Sequence, residues 1–255
     1  MQISAKELRQ MASDVDDMHH EAMRDFKEET SELHLQAVRG SRRSFMRKAG
    51  LAGAGGALLT MGGGLTPFTR LVGIAGAQDG ALTDTVIAGY AQSVELAAVA
   101  AYTAAAPALK GDVLAVAQLF LSHHQDHADA FAAVAGKDAR PEPNPKLVAA
   151  VTPTLDAVTE AVKAGQDVTT DVLSFAKVVE NQAAYTYAAA LTLLTDPAYA
   201  AATSTILPIE AQHATVLSLA LGEGPDKWFP TGAFESASLG DGTDPLAGFD
   251  PAIFA

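Results

Sequence analysis

The 255-residue sequence predicts an all-α fold: a four-helix bundle with one long crossover and an irregular C-terminal tail. Three observations lead there. Between residues 82 and 221, apolar residues recur at steps of three and four, the spacing of one helix face. Alanine supplies much of the 49% hydrophobic content and aromatics only 6%, which suits closely packed helices, and β-branched runs of period two are scarce. Gly, Pro and Asp interrupt the pattern briefly in two places and at length in one.

The interruptions set the elements in order. A first helix is predicted over 82–109, followed by the turn Lys110-Gly111-Asp112 and a second helix over 113–135. Residues 136–153 contain Pro141, Pro143 and Pro145 and read as a non-helical crossing, with Pro153 opening a short helix that ends near Ala164-Gly165. A third bundle helix is predicted over 167–195, and Asp196-Pro197 starts a fourth that runs to 221. From 222 onward the chain is rich in Gly, Pro and Asp, with Trp228, Phe229, Phe234, Phe249 and Phe254 dispersed through it, and reads as a strap across the bundle. The domain is assigned to 78–235 and the tail proper to 236–255. An up-down-up-down bundle would not need the long crossing between the second and third helices.

Residues 1–77 read as a leader. Ser41-Arg42-Arg43-Ser44-Phe45-Met46-Arg47-Lys48, a Gly/Ala-rich apolar run over 49–65, and the small-x-small stretch Ala75-Gly76-Ala77 resemble a twin-arginine export signal. The expected location is the periplasm, cell envelope or medium, with an uncleaved anchor as the alternative. Residues 1–40 are expected to form a loose amphipathic helix or disorder, and His19 and His20 to be solvated rather than ligands.

Charge narrows the partners. Residues 1–77 carry ten basic and nine acidic side chains, whereas residues 78–255 carry seven and twenty-one. So acidic a domain has no basic stripe for phosphates, so no nucleic-acid partner is expected, nor membrane insertion of the mature domain. The absence of cysteine excludes disulfides, thiolate metal sites and cysteine nucleophiles.

Polar residues interrupt each core-facing stripe. In the second helix Val113, Val116, Phe120, Phe131 and Val134 define the stripe, and His124 and His127 fill its gap, with His123 and Asp126 turned about 100° away. Thr203, Ile206, Leu217 and Ala220 flank Glu210 and His213 in the fourth. Leu173, Ala176, Ala184 and Leu191 put Glu180 inside the third, and Ala88, Ala91, Ala98 and Tyr102 put Glu95 inside the first. Counted from the two hairpin turns, Glu95, His124, Glu180 and Glu210 fall at nearly the same height, roughly 20–25 Å away. Buried charge is costly unless paired or coordinated, and a metal ion is the simplest reason for such convergence. A hydrogen-bonded polar network is the alternative. Tyr102, Tyr185 and Tyr187 read as packing residues, and Pro208 as a kink.

The stretches Val94-Glu95 through Tyr102, His124-Gln125-Asp126-His127, Glu180 through Tyr185 and Ile209-Glu210-Ala211-Gln212-His213 resemble the helices of the ferritin-like superfamily. More narrowly, about residues 80–235 resemble exported bacterial ferritin-like domain proteins related to desiccation-associated proteins. The resemblance implies one Glu from each of two helices, here Glu95 and Glu180, and a Glu-x-x-His from each of the others. Glu210 and His213 match one such pair. The second helix departs from it, carrying His124-x-x-His127 instead.

The metal ligands expected are therefore Glu95, His124, His127, Glu180, Glu210 and His213, holding one or two ions. Iron or manganese is expected first, with zinc as an option because the set is rich in nitrogen. The expected function is an exported metal-binding protein that oxidises Fe(II) or reduces peroxide at a metal pair. A non-catalytic metal-binding or stress-protective bundle is the alternative. The expected assembly is a monomer or homodimer rather than a hollow shell.

Overall fold

The computed structural model describes residues 3–47, 83–191 and 193–228. The small-x-small stretch at 75–77 and the tail beyond 228 lie outside the described residues. The described residues form six α-helices: α1 (Ala5–Arg47), α2 (Asp84–Ala105), α3 (Gly111–Ala135), α4 (Pro145–Lys163), α5 (Thr169–Ala190) and α6 (Pro197–Ala220). No strand occurs among them. The fold is all-α, as the periodicity predicts.

Local chemistry fixes the helix ends. The Thr83 side chain accepts from Val86 N at the start of α2, and Asp196 accepts from Ala198 N at the start of α6. Such caps satisfy backbone donors that have no partner in the helix, each worth about 1 kcal/mol. At the other end of α6, Gly222 adopts φ 74°, and Gly222 N and Glu223 N donate to Leu219 O and Ser218 O. That is a Schellman closure, which needs a residue comfortable at positive φ. Asp84 also accepts from Thr195 N and Asp196 N, pinning the start of α2 to the α5–α6 turn.

The α2–α3 and α5–α6 hairpins pack as pairs, and α4 lies along α2 within the crossover. At Gly89 the 3₁₀ turn Gly136–Asp138 comes so close that an added Cβ would sit 2.0 Å from Asp138 O. Only glycine allows that approach.

Two boundaries differ from the sequence reading. Helix α4 begins at Pro145, not Pro153, because Asn144 caps it by accepting from Lys146 N and Leu147 N. Proline at the first helical position has no donor to lose and its φ is preset, so Pro145 starts the helix that it was expected to break. Pro153 lies inside α4, on its exposed side. Helix α5 ends at Ala190, five residues short of the predicted Thr195.

The amphipathic helix offered as one reading of residues 1–40 is present as α1, but it is docked on the bundle rather than loose. It starts with a capping box, Glu7 N donating to Ser4 Oγ and Ser4 N to Glu7 Oε2, and then packs along α6 and α3. Leu8, Ala12, Val15, His19, Ala22, Phe26 and Thr30 are buried. They step by three and four along one continuous seam, which a loose or disordered segment would not present. Two apolar clusters fill the bundle. One gathers Leu8, Val15, Tyr102, Phe120, Val172 and Leu217, the other Phe26, Ala91, Phe131, Tyr187 and Ile206. The polar residues lie between them.

Candidate metal centre

Each of the four bundle helices contributes at the same level. Helix α2 brings Glu95, α3 brings His124 and His127, α5 brings Glu180, and α6 brings Glu210 and His213. All six are at most 1% exposed. The structure thus brings together every residue that the sequence assigns to the site.

They form two overlapping groups. Glu95, His124, His127 and Glu210 make one, and His124, Glu180, Glu210 and His213 the other, with ligand atoms within 4.8 Å of one another in each. His124 and Glu210 belong to both. His124 Nδ1 lies 2.7 Å from Glu95 Oε2, and His124 Nε2 lies 3.1 Å from Glu180 Oε1. Glu210 divides likewise: Oε1 is 2.8 Å from His127 Nδ1, and Oε2 is 3.4 Å from His213 Nδ1. Each shared residue offers a different atom to each group.

The donor set fits a metal better than it fits a closed hydrogen-bond network. Both Glu210 oxygens and both His127 nitrogens are buried without a hydrogen-bond partner of acceptable geometry, close as some of them approach. Leaving such groups unsatisfied costs about 1–3 kcal/mol each, and more for charged ones. Three carboxylates and three imidazoles are the hard-to-borderline donors that suit first-row divalent ions.

The carboxylates and imidazoles shift one another's proton affinities. Burial alone would raise the Glu95 carboxyl, but the hydrogen bond from His124 and the charge of the nearby His127 ring outweigh it and hold the group at about 2. Glu180 is likewise held well below the usual carboxylate range, by His124 and His213 against the effect of burial. Burial would lower the imidazoles, yet carboxylates on all sides keep His124 well above the usual range, His127 at about 9 and His213 raised. Raised imidazoles thus face lowered carboxylates, and a cation bound among them would have to displace those protons.

Two tyrosines do more than pack. Tyr102 Oη donates to Glu180 Oε1, and Tyr187 Oη donates to Glu95 Oε1. Burial and the adjoining carboxylates push both phenols well up, so they remain donors. Outer hydrogen bonds of this kind fix the orientation of ligating carboxylates. The sequence reads both as packing residues, with Tyr102 on the core-facing stripe, and does not tell which carboxylate each would meet.

His123 also corrects the sequence reading. Expected to turn away, it is 1% exposed, because α1 covers that side of α3. Its Nε2 lies 3.2 Å from Asp16 Oδ1 and its Nδ1 lies 3.0 Å from His213 Nε2. A carboxylate only accepts, so the His123 proton sits on Nε2. Burial, with His213 and His19 nearby, keeps His123 from taking a second one. Its bare Nδ1 then accepts from His213 Nε2–H, which leaves His213 Nδ1 as the atom facing Glu180 and Glu210. The sequence signal was present: Val116, Phe120, His123, His127, Phe131 and Val134 step by three and four as well as the chosen stripe does.

His19 is likewise 1% exposed, against the expectation of a solvated residue, whereas His20 remains exposed. The His19 ring stacks on His123 with centroids 3.8 Å apart.

An all-α bundle with a buried carboxylate–imidazole centre contributed by four helices defines the class. The ferritin-like domain model matches residues 83–223, and the chain belongs to that family. No curated protein and no solved structure matches the chain.

Proposed function

We propose that the protein is an exported ferritin-like metal-binding protein whose centre holds two ions and turns over Fe(II) or peroxide. The observation that carries this reading is the split of Glu210, one oxygen toward His127 and the other toward His213, across two four-residue groups. A carboxylate so placed suits two ions side by side. A redox-active pair bound there would supply electrons to dioxygen or peroxide, or take them from Fe(II).

The chain's own residues prepare for that chemistry. Tyr102 and Tyr187 hold Glu180 and Glu95 in place and supply O–H groups beside the centre. The apolar clusters on either side exclude bulk water and strengthen the electrostatics of the site. A small crevice between α2, α4 and α5 reaches Glu95 and His124, flanked by Leu147, Val151 and Thr186. It is the side from which a small oxidant would approach.

Export rests on the Arg42-Arg43 motif and the residues that follow it, and the packing of α1 along α6 and α3 favours the alternative in which the leader is kept. Among the described residues no helix is long and apolar enough to cross a membrane. A second reading, a static metal site without turnover, draws on His124, since an imidazole replaces a carboxylate at a position that both groups share. Fe(II) oxidation separates the two. Protein with its metals bound, mixed anaerobically with excess Fe(II) and then exposed to oxygen or peroxide, is expected to oxidise iron faster than buffer does. Oxidation at the rate of buffer, with metal bound, would leave only the static reading.

A further inference from the structure

Helix α1 carries ligand-type side chains that the ferritin-like centre does not use. We propose that Asp16, His19 and His20 form a separate site for a divalent first-row transition ion where α1 covers the centre. Their ligand atoms lie within 4.8 Å of one another, drawn from the i, i+3 and i+4 positions of one helical face.

The buried member makes this more than a surface cluster. His19 occupies a seam position between Val15 and Ala22, and neither of its ring nitrogens has a hydrogen-bond partner. Asp126 Oδ2, the acidic atom paired with it, stays 3.9 Å from His19 Nε2. A buried ring with both nitrogens idle is unfavourable where an apolar side chain would pack without loss. Stacking on His123 explains where the ring sits but satisfies neither nitrogen. A metal bond would.

The other two members open the site to solvent. The Asp16 and His20 side chains are 37% and 66% exposed, and His20 Nδ1 lies 3.3 Å from Asp16 Oδ1. His20 Nδ1 also lies 2.8 Å from the Asp16 carbonyl oxygen, which leaves Nε2 the freer donor. Two imidazoles and one carboxylate with positions left for water favour Zn(II), Co(II), Ni(II) or Cu(II) over magnesium or calcium. Asp16 Oδ1 also contacts His123, which contacts His213. An ion at the α1 site would sit two side chains from the inner centre, on its solvent side.

The test is Co(II) titration of the full chain, followed by visible absorption and by metal content after desalting. It compares wild type with His20→Ala, a change at an exposed position that leaves the α1 seam intact. Wild type is expected to bind one equivalent more than the variant, or to bind that equivalent about tenfold or more tighter. The equivalents of the inner centre should be the same in both. Glu210→Gln distinguishes the two sites: the equivalent sensitive to His20 should survive it even if the inner centre binds nothing. Equal stoichiometry and equal affinities in wild type and His20→Ala would overturn the proposal.

Discussion

His124 Nδ1 lies 2.7 Å from Glu95 Oε2, and His124 stands where the resemblance to ferritin-like helices implies the Glu of a second Glu-x-x-His. The opposite nitrogen of the same ring reaches Glu180, so one imidazole spans the two halves of the centre. Nitrogen at a shared position favours zinc or copper over iron and manganese. His124→Glu is therefore expected to raise iron and manganese occupancy relative to zinc, measured by mass spectrometry after loading from an equimolar mixture. An unchanged metal ratio would show that His124 does not set selectivity.

The two phenols give a prediction that bears on the outer hydrogen bonds. Tyr102→Phe and Tyr187→Phe each remove a donor to a ligating carboxylate while keeping the ring that packs. Each is expected to weaken metal binding by about 10–100-fold in chelator competition, with the helical circular dichroism retained. Wild-type affinity in both variants would return the tyrosines to a packing role.

Acidity should act on the metal-free and metal-bound protein in opposite senses. His127 is held at about 9, above the ordinary histidine value, so its contribution to stability is complete below about 6.5 and lost as pH rises through 9. Glu95 is held at about 2, so its contribution is complete above about 4.5 and lost as pH falls through 2. Metal-free protein should thus melt at lower temperature at pH 9 than at pH 6. Metal uptake must displace the His127 proton, so affinity should rise over the same interval. A metal-free Tm that climbs from pH 6 to pH 9, or an affinity that does not, would contradict this assignment.

Gly89→Ala tests the close approach of the α3–α4 connection. Glycine to alanine inside a helix ordinarily stabilises by about 1 kcal/mol. Here the new Cβ would meet Asp138 O at 2.0 Å and Asp138 C at 2.9 Å, both backbone atoms. The expected result is destabilisation by about 1–3 kcal/mol in denaturant unfolding, with metal content unchanged. A Tm at or above that of wild type would mean that the turn moves aside freely.

The bundle and the six inner residues were legible in the sequence because each depends on one helix's periodicity and on counting from a turn. What depends on a neighbour was not. His123 was assigned to the outside because four helices leave α3 one buried stripe, and only the docking of α1 widens that arc. The seam from Leu8 to Thr30 is present in the sequence, but the mixed charges around it and the arginine pair beyond it read as a leader, a loose amphipathic helix or disorder, rather than as a helix packed on the bundle. Pro145 is ambiguous in the sequence for a different reason: proline breaks a helix interior and opens a helix end, and Asn144 decides which.

Whether Glu95, His124, His127, Glu180, Glu210 and His213 bind metal is decided by metal content. Full-length protein purified from cells would be assayed by mass spectrometry beside Glu210→Gln, a change that preserves shape at the residue both groups share. One or two inner equivalents of iron, manganese or zinc are expected in wild type and should be lost in a folded variant. Wild type that is well folded yet binds no ion there, even after addition of Fe(II), Mn(II) or Zn(II), would contradict it.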